Sequence, residues 1–190
     1  ADTRERRKVA TAIEPGYFGA GVDILLRPEI AVAGWQDLRG RRICALQGAY
    51  FNKGINSRYV LDLRTYKSIG AAQSALKQGD CVGFLYSETA IQGYLKKPEF
   101  QGYRANLEAT LIVPWAAFLP RSEKGTDFEH LVGNIIAGLH REGYLVELQK
   151  KWGLASSKFL RENQVLWSRS GADGKPVCQR GAGGEWPVEC

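Results

Sequence analysis

Cysteine, histidine and carboxylate side chains are the ones in this sequence able to do redox, metal or acid–base chemistry, and their spacing limits each. The four cysteines are Cys44, Cys81, Cys178 and Cys190. No two form a Cys-x-x-Cys pair, and only His130 and His140 are available to complete a metal site, so no metal is expected. Four cysteines allow three disulfide pairings. Cys44–Cys81 and Cys178–Cys190 are expected, because the first two sit in short apolar runs able to form neighbouring strands. The second two bracket the glycine-rich stretch at 181–184 and close a short loop. Four reduced thiols are the competing reading, but a glycine-rich tail is a poor place to bury two of them, so an oxidising, periplasmic or secreted setting is expected. His130 and His140 fall on one helix and read as solvated or partly buried helix residues. No Ser-His-Asp or Cys-His set occurs. Glu88 is the one carboxylate placed for acid–base work, and it reads equally well as a helix-start carboxylate favouring the dipole. No catalytic residue and no cofactor is expected.

The elements that must position these groups follow from patterning. A chain of 190 residues with 44% apolar content fits one large domain or two small lobes around a packed core. No run of about 18 uncharged apolar residues exists to span a membrane. The absence of methionine points to a processed or cut chain. The net charge is +6, but the one dense basic stretch is Arg4, Glu5, Arg6, Arg7 and Lys8, with acids and bases mixed elsewhere. That reads as a solvated surface, and no nucleic-acid partner is expected.

Residues 22–26 read as a strand ended by Arg27 and Pro28, and residues 42–46 as a second. Gln47 and Gly48 break that strand, and a helix is expected from about Tyr50. Ile69, Ala72, Gln73 and Leu76 take helical spacing, stopped by Gly79. A strand over 81–86 follows, and Ser87 reads as the N-cap of a helix carrying Ala90, Ile91, Tyr94 and Leu95. The middle of the chain thus reads strand, helix, helix, strand, helix, an α/β unit with a mostly parallel sheet. Residues 111–120, apolar but punctured by Pro114 and Pro120, suit an extended segment crossing between two bodies. Thr126 to Glu129 is a capping box whose helix presents Leu131, Ile135 and Leu139 as its apolar face. A short helix with Tyr144, Leu145, Leu148 and Trp152 comes next. Beyond Gly153 no clear periodicity remains, and 168–190 reads as a disulfide-pinned tail.

Several stretches recur in the order found in family-3 extracellular solute-binding proteins, the polar amino-acid-binding group. Thr3-Arg4-Glu5-Arg6 resembles that family's Thr-x-x-Arg signature, and Pro15-Gly16-Tyr17-Phe18 its aromatic step into the first crossover strand. Trp35-Gln36-Asp37-Leu38-Arg39-Gly40 resembles its approach to the second lobe, and Leu46-Gln47-Gly48 its ligand-facing loop. Ala75-Leu76-Lys77-Gln78-Gly79 and the stretch from Gly143-Tyr144 to Lys151-Trp152 are similar to two further family segments. The resemblance implies an α/β, periplasmic-binding-protein-like (type II) fold of two lobes, a Venus flytrap, holding a small polar solute between them for an ABC importer. It implies lobe 2 over 19–114, fragments of lobe 1 over 1–18 and 115–153, and a C-terminal extension over 154–190. It also implies that the chain begins late, so that a second chain supplies the missing part of lobe 1 or that lobe is incomplete.

The resemblance assigns roles. Arg6 would grip a ligand carboxylate through two parallel hydrogen bonds, and Thr3 would add a hydroxyl or merely cap the following helix. Gly48, Ala49 and Tyr50 would start a helix whose free amides face an anionic group, and Tyr50 or Phe51 would supply an aromatic wall or core packing, with Phe51 leaning towards the core. Tyr17 and Trp115 would flank the cleft. The family places an aspartate where Ser87 stands, to accept the ligand's ammonium; serine is a weaker partner for a cation, and Glu88 stands one residue along. The expected function is capture of an amino acid or related solute, with the membrane subunits of an importer as partners. A ligand-sensing extracellular domain and a dehydratase-like enzyme on the same fold are the alternatives.

Overall fold

The structure, a computed structural model, describes residues 1–190. In chain order the elements are helix α1 (Arg4–Arg7), strands β1 (Thr11–Ala12), β2 (Phe18–Leu26) and β3 (Arg42–Leu46), helix α2 (Asn52–Tyr59) and strand β4 (Asp62–Tyr66). Helix α3 (Ile69–Gln78), strand β5 (Gly83–Ser87), helix α4 (Glu88–Leu95) and strands β6 (Thr110–Trp115) and β7 (Phe118–Leu119) follow. Helices α5 (Asp127–Arg141), α6 (Tyr144–Lys151) and α7 (Lys158–Trp167) end the series. The chain divides into two compact units: residues 21–112, and residues 1–20 with 113–190. No helix is long and apolar enough to cross a membrane.

The unit of residues 21–112 is built on a sheet of order β4-β3-β5-β2-β6. β3 runs parallel to both β4 and β5, while β2 is antiparallel to β5, so the sheet is mixed with a parallel centre. Alternation along the strands sorts the core into two layers. Val22, Ile24, Leu26, Ile43, Ala45 and Leu85 meet Trp35, Leu38, Ile55 and Tyr59 on one face. Leu25, Cys44 and Phe84 meet Ala72, Leu76 and Ile91 on the other. A sheet covered on both faces needs near-continuous apolar strands, which is why β2, β3 and β5 are legible as apolar runs. β4 is not among the expected elements. It is an edge strand paired only to β3, with the polar sequence Asp62-Leu63-Arg64-Thr65-Tyr66 and none of its residues buried, so it carries no apolar signal. The order here is therefore strand, helix, strand, helix, strand, helix. Cys44 and Cys81 are bonded inside the second layer. Ser68 caps α3 by accepting from Ala71 N, and Gly79 ends it at φ 90°, a conformation that suits glycine.

The second unit is helical. α5 packs on α7 and α6, and its sheet is limited to the two-residue strands β1 and β7, paired antiparallel. Thr126 Oγ1 accepts from Glu129 N as the capping box requires, but the Glu129 carboxylate reaches back to Gly125 N rather than to the N-cap itself. The apolar face of α5 differs from expectation. Leu131 and Ile135 are more than half exposed, and the buried stripe is Gly133, Ile136, Ala137 and His140. Close approach explains it: a Cβ on Gly133 would fall 2.6 Å from the Glu14 carbonyl oxygen, so a residue without a side chain must face inward there. His140 is fully buried, not solvated. Its Nε2 lies 2.8 Å from the Gly16 carbonyl, and burial pulls its pKa below the usual histidine value despite that bond. α7 is a second unexpected element. Ser157 caps it through Leu160 N, but its buried residues are only Leu160 and Trp167, seven apart and too sparse to show a period. The tail beyond it is closed by the expected Cys178–Cys190 disulfide, with Cys178 packed beside Ala137 and Trp167.

Candidate functional site

Within residues 21–112, two loops leave the sheet at the same edge. β3 and β5 are parallel neighbours, so the turn after Leu46 and the residues ending β5 both lie at strand carboxyl ends, where open α/β sheets place ligands. Gly48 takes φ 73°, and the turn is fixed by Ala49 N donating to the Leu46 carbonyl and by Asn52 Nδ2 donating 2.8 Å to the same oxygen. α2 begins at Asn52, two residues later than expected, with Phe51 in the N-cap position and no side-chain cap. Phe51 is buried in the core and Tyr50 is exposed against it, edge to face at 5.1 Å between ring centroids. Gly48, Ala49 and Tyr50 thus form a tight, exposed shoulder on the sheet edge.

Ser87 and Glu88 stand on that edge. Ser87 pairs with Val22 across the β5–β2 ladder and occupies the N-cap position of α4, but its hydroxyl caps nothing; the oxygen is buried without a hydrogen-bond partner. Glu88 turns one carboxylate oxygen onto Gly21 N at 3.2 Å. Behind it lies a residue absent from the expected site. Asp23 is 2% exposed, bonds the following Ile24 amide at 2.7 Å, and is pushed up to a pKa of about 6. Burial is the main cause, opposed by the Ile24 amide and the Gln92 side chain and reinforced by the negative charge of Glu88. The signal for it is a carboxylate inside an otherwise apolar strand, Val22-Asp23-Ile24-Leu25-Leu26. The edge therefore carries the Glu88 carboxylate and the unsatisfied Ser87 hydroxyl, with the Asp23 carboxylate on the neighbouring strand β2, paired opposite Tyr86.

In the other unit, the segment from α1 and the step before β2 meet on one strand. Asp2 N donates to Pro114 O at 2.7 Å and Tyr17 N to Trp115 O at 2.9 Å, so Thr3 and Arg6 stand near the strand position that also holds Tyr17 and Trp115. Thr3 caps α1, its Oγ1 accepting from Arg6 N at 3.3 Å. Arg6 is exposed; Nη1 donates to the Ala1 carbonyl at 2.7 Å, and no carboxylate pairs with it. Its neighbour Arg7 differs, being bonded by both Asp2 and Glu14. Tyr17 is exposed, while Trp115 packs against Phe18 with ring centroids 5.2 Å apart. No cluster of three metal-ligating side chains forms.

No protein-family model and no curated protein sequence matches the chain. Solved structures do match its fold. The ligand-binding core of GluR0 in complex with L-glutamate superposes with a TM-score of 0.70 at 15% identity, over 80% of this chain and 68% of that one. Holo ArgBP from T. maritima gives 0.62 at 18% identity, over 80% and 65%. The substrate-binding protein of an amino acid ABC transporter gives 0.63 at 17%, over 79% and 66%. The architecture is thus the α/β, periplasmic-binding-protein-like fold expected from the sequence, and the chain spans about two thirds of the length of these structures.

Proposed function

We propose that this chain is the solute-capturing component of an amino acid importer, acting outside the cytoplasm by binding alone. The observation that carries the reading is its fold, shared with the substrate-binding protein of an amino acid ABC transporter and with ArgBP. Each unit presents polar groups of the kind that binds a small polar solute. Arg6 is an exposed guanidinium free of any carboxylate, ready for a carboxylate or another anionic group. Thr3 holds its helix turn, and Tyr17 and Trp115 add aromatic surface beside it. In residues 21–112 the Gly48–Ala49–Tyr50 shoulder presents exposed polar backbone at the strand end, and Glu88, with Ser87 beside it, offers the acceptor for an ammonium or amine. The membrane subunits of an importer are the partners on this reading, and a further polypeptide segment completing the first lobe belongs to it. The likeness to the GluR0 ligand-binding core supports a sensing role as a second reading, with the same capture step.

A thermal-shift screen of the 190-residue protein against amino acids and simple amines tests the reading. A polar amino acid or amine is expected to raise the melting temperature in a saturable way. Arg6→Lys and Glu88→Gln should each weaken that ligand about tenfold by calorimetric titration, by removing one charge-assisted contact. A screen in which no polar solute shifts the melting point would sink the proposal.

A further inference from the structure

Two carboxylates of the unit of residues 21–112 stand close together where α4 meets β2, and no ion pair answers either. Gly21 and Asp23 lie two apart on β2 and so point to the same face of the sheet. Glu88 and Gln92 lie one turn apart on α4 and share a face of that helix. Glu88 accepts from Gly21 N at 3.2 Å and Gln92 bonds Asp23, so the four residues interlock as two pairs. The ion pairs of this unit, Arg27–Glu29, Arg42–Asp62, Arg64–Asp62 and Lys77–Glu99, take in neither Asp23 nor Glu88.

Asp23 is the group that needs explaining. It is buried in an otherwise apolar strand, yet both of its partners favour the charged form. Ile24 N donates to it at 2.7 Å, and the Gln92 amide stabilises its anion. A carboxyl kept permanently neutral would need an acceptor for its proton; this one meets donors instead. Few titratable groups surround it. β5 brings Tyr86, paired opposite Asp23, and β6, on the other side of β2, brings none. The segment before β6, which sets Ala109 against Gly21, carries Glu108. The end of α4 carries Tyr94, with Lys96 and Lys97 after it. Of these charges only Glu88 acts on Asp23, and it opposes ionisation. Burial and Glu88 hold the Asp23 proton up to about pH 6, so a cation that cancels the Glu88 charge loosens it.

We propose that Asp23 is a proton-linked positioning residue behind the acceptor Glu88: an ammonium seated on Glu88 expels the Asp23 proton, so capture strengthens as the pH rises. This rests on the reading of Glu88 as the acceptor. The sign follows from charge. A bound cation favours the ionised form of Asp23, and by linkage the ionised form favours the bound cation. While Asp23 is protonated the solute meets one negative charge at the strand end; once it ionises, the solute meets two. Asp23 itself touches no solute, and its effect passes through Glu88 and the local field.

The test titrates the 190-residue chain with L-arginine and L-glutamine, neither of which changes charge between pH 5 and pH 7.5. Calorimetry at both pH values reads affinity, and two buffers of unlike ionisation enthalpy at pH 6 read the protons released. A bound solute is expected to release a fraction of a proton at pH 6, and affinity to rise about fivefold from pH 5 to pH 7.5. Asp23→Asn should match the parent at pH 5, stay flat to pH 7.5 and release no proton. Gln92→Ala keeps Asp23 but removes a donor to its anion, so the rise in affinity should move to higher pH. A purely structural Asp23 would alter stability but not these proton-linked readouts. Binding with the same pH profile and proton release in Asp23→Asn as in the parent would overturn the proposal and leave the Glu88 reading standing. Binding untouched by Glu88→Gln would remove Glu88 as the acceptor and the proposal with it, leaving solute capture intact. No binding of either solute at any pH would overturn the proposal and the capture reading together.

Discussion

Residues 21–112 bury large apolar side chains on both faces of a sheet, whereas the other unit closes on a few anchors, Ile13, Ile136, Leu160 and Trp167, and leaves several large side chains exposed. In the sheet unit Phe84, Ile24, Ile43, Leu76 and Leu85 are fully buried, and one disulfide lies inside the core. In the helical unit Phe128, Leu131, Ile135, Trp152 and Val165 are all more than half exposed, and the second disulfide pins the tail onto a small cluster of Ala137, Trp167 and Cys178. The difference follows from what each unit has to pack against. A sheet offers two broad apolar surfaces, and helices on either side fill them. α5 has only α6, α7 and the tail, and close approach of Glu14 and Arg180 requires Gly133 on the inward stripe, with Ala137 packed beside Trp167 and Cys178.

The largest expected effect tests whether the sheet unit depends on its staple. Replacing Cys44 and Cys81 together by serine opens a loop with a sequence separation of 37, and the loop-closure model gives a loss of about 4 kcal/mol. The same replacement of Cys178 and Cys190, separated by 12, should cost about 3 kcal/mol and act mainly on the tail. Urea denaturation of both pairs decides the order. A larger loss from the tail pair would mean that the helical unit, not the sheet unit, limits stability.

Asp23 gives the next effect, and its sign depends on pH. Its folded pKa of about 6 lies above the ordinary 3.8, so the folded chain binds its proton more tightly than the unfolded one does. Below about pH 3.8 both states are protonated and there is no penalty. As the pH rises from there through 6 the penalty grows, and above 6 it is complete, on the order of 3 kcal/mol. Asp23→Asn should therefore be more stable than the parent at pH 7.5, with the gap closing near pH 4. A variant destabilised equally at both pH values would show that the ionised carboxylate is held favourably, and that the burial argument fails.

How much of this was legible in the residues divides along the same line. β2, β3 and β5 read correctly because a doubly covered sheet demands apolar runs, and both disulfide pairings followed from where the cysteines sit. β4 was illegible because an edge strand can be polar, and α7 because two anchors seven residues apart make no period. The face of α5 misread for a different reason. Leu131, Ile135 and Leu139 satisfy a helical period, but the tail's Arg180 and the Glu14 carbonyl decide which stripe turns inward, and neither is local to the helix. For the candidate site, resemblance named Gly48, Ser87 and Glu88, which the structure places at strand carboxyl ends, while Asp23 was hidden because it occupies a position that reads as core.

That misreading gives a sharper test of the helical unit. Ile136→Ala removes a side chain 7% exposed and should cost about 2–3 kcal/mol, whereas Ile135→Ala, at 52% exposed, should stay within about 0.5 kcal/mol. Thermal melts of the two variants compare adjacent isoleucines on one helix. Equal losses would mean that something covers the outer face of α5 in solution.

The smallest effect lies inside the sheet unit and concerns two serines at helix starts. Ser68 accepts from Ala71 N at 3.2 Å, so Ser68→Ala removes a cap and should cost about 1 kcal/mol. Ser87 occupies the same kind of position before α4, yet its hydroxyl is buried and bonds nothing. Ser87→Ala removes an unsatisfied polar atom without breaking a bond, so the chain alone should be unchanged or slightly more stable. The two variants therefore separate a serine that caps from one that does not, although the sequence places both before a helix. If Ser87→Ala instead loses as much as Ser68→Ala, the hydroxyl has a partner in solution, and the acceptor role falls to Glu88 alone. If the folded chain is indifferent to Ser87→Ala but loses affinity for whichever polar solute it captures, the unsatisfied oxygen belongs to the ligand rather than to the fold.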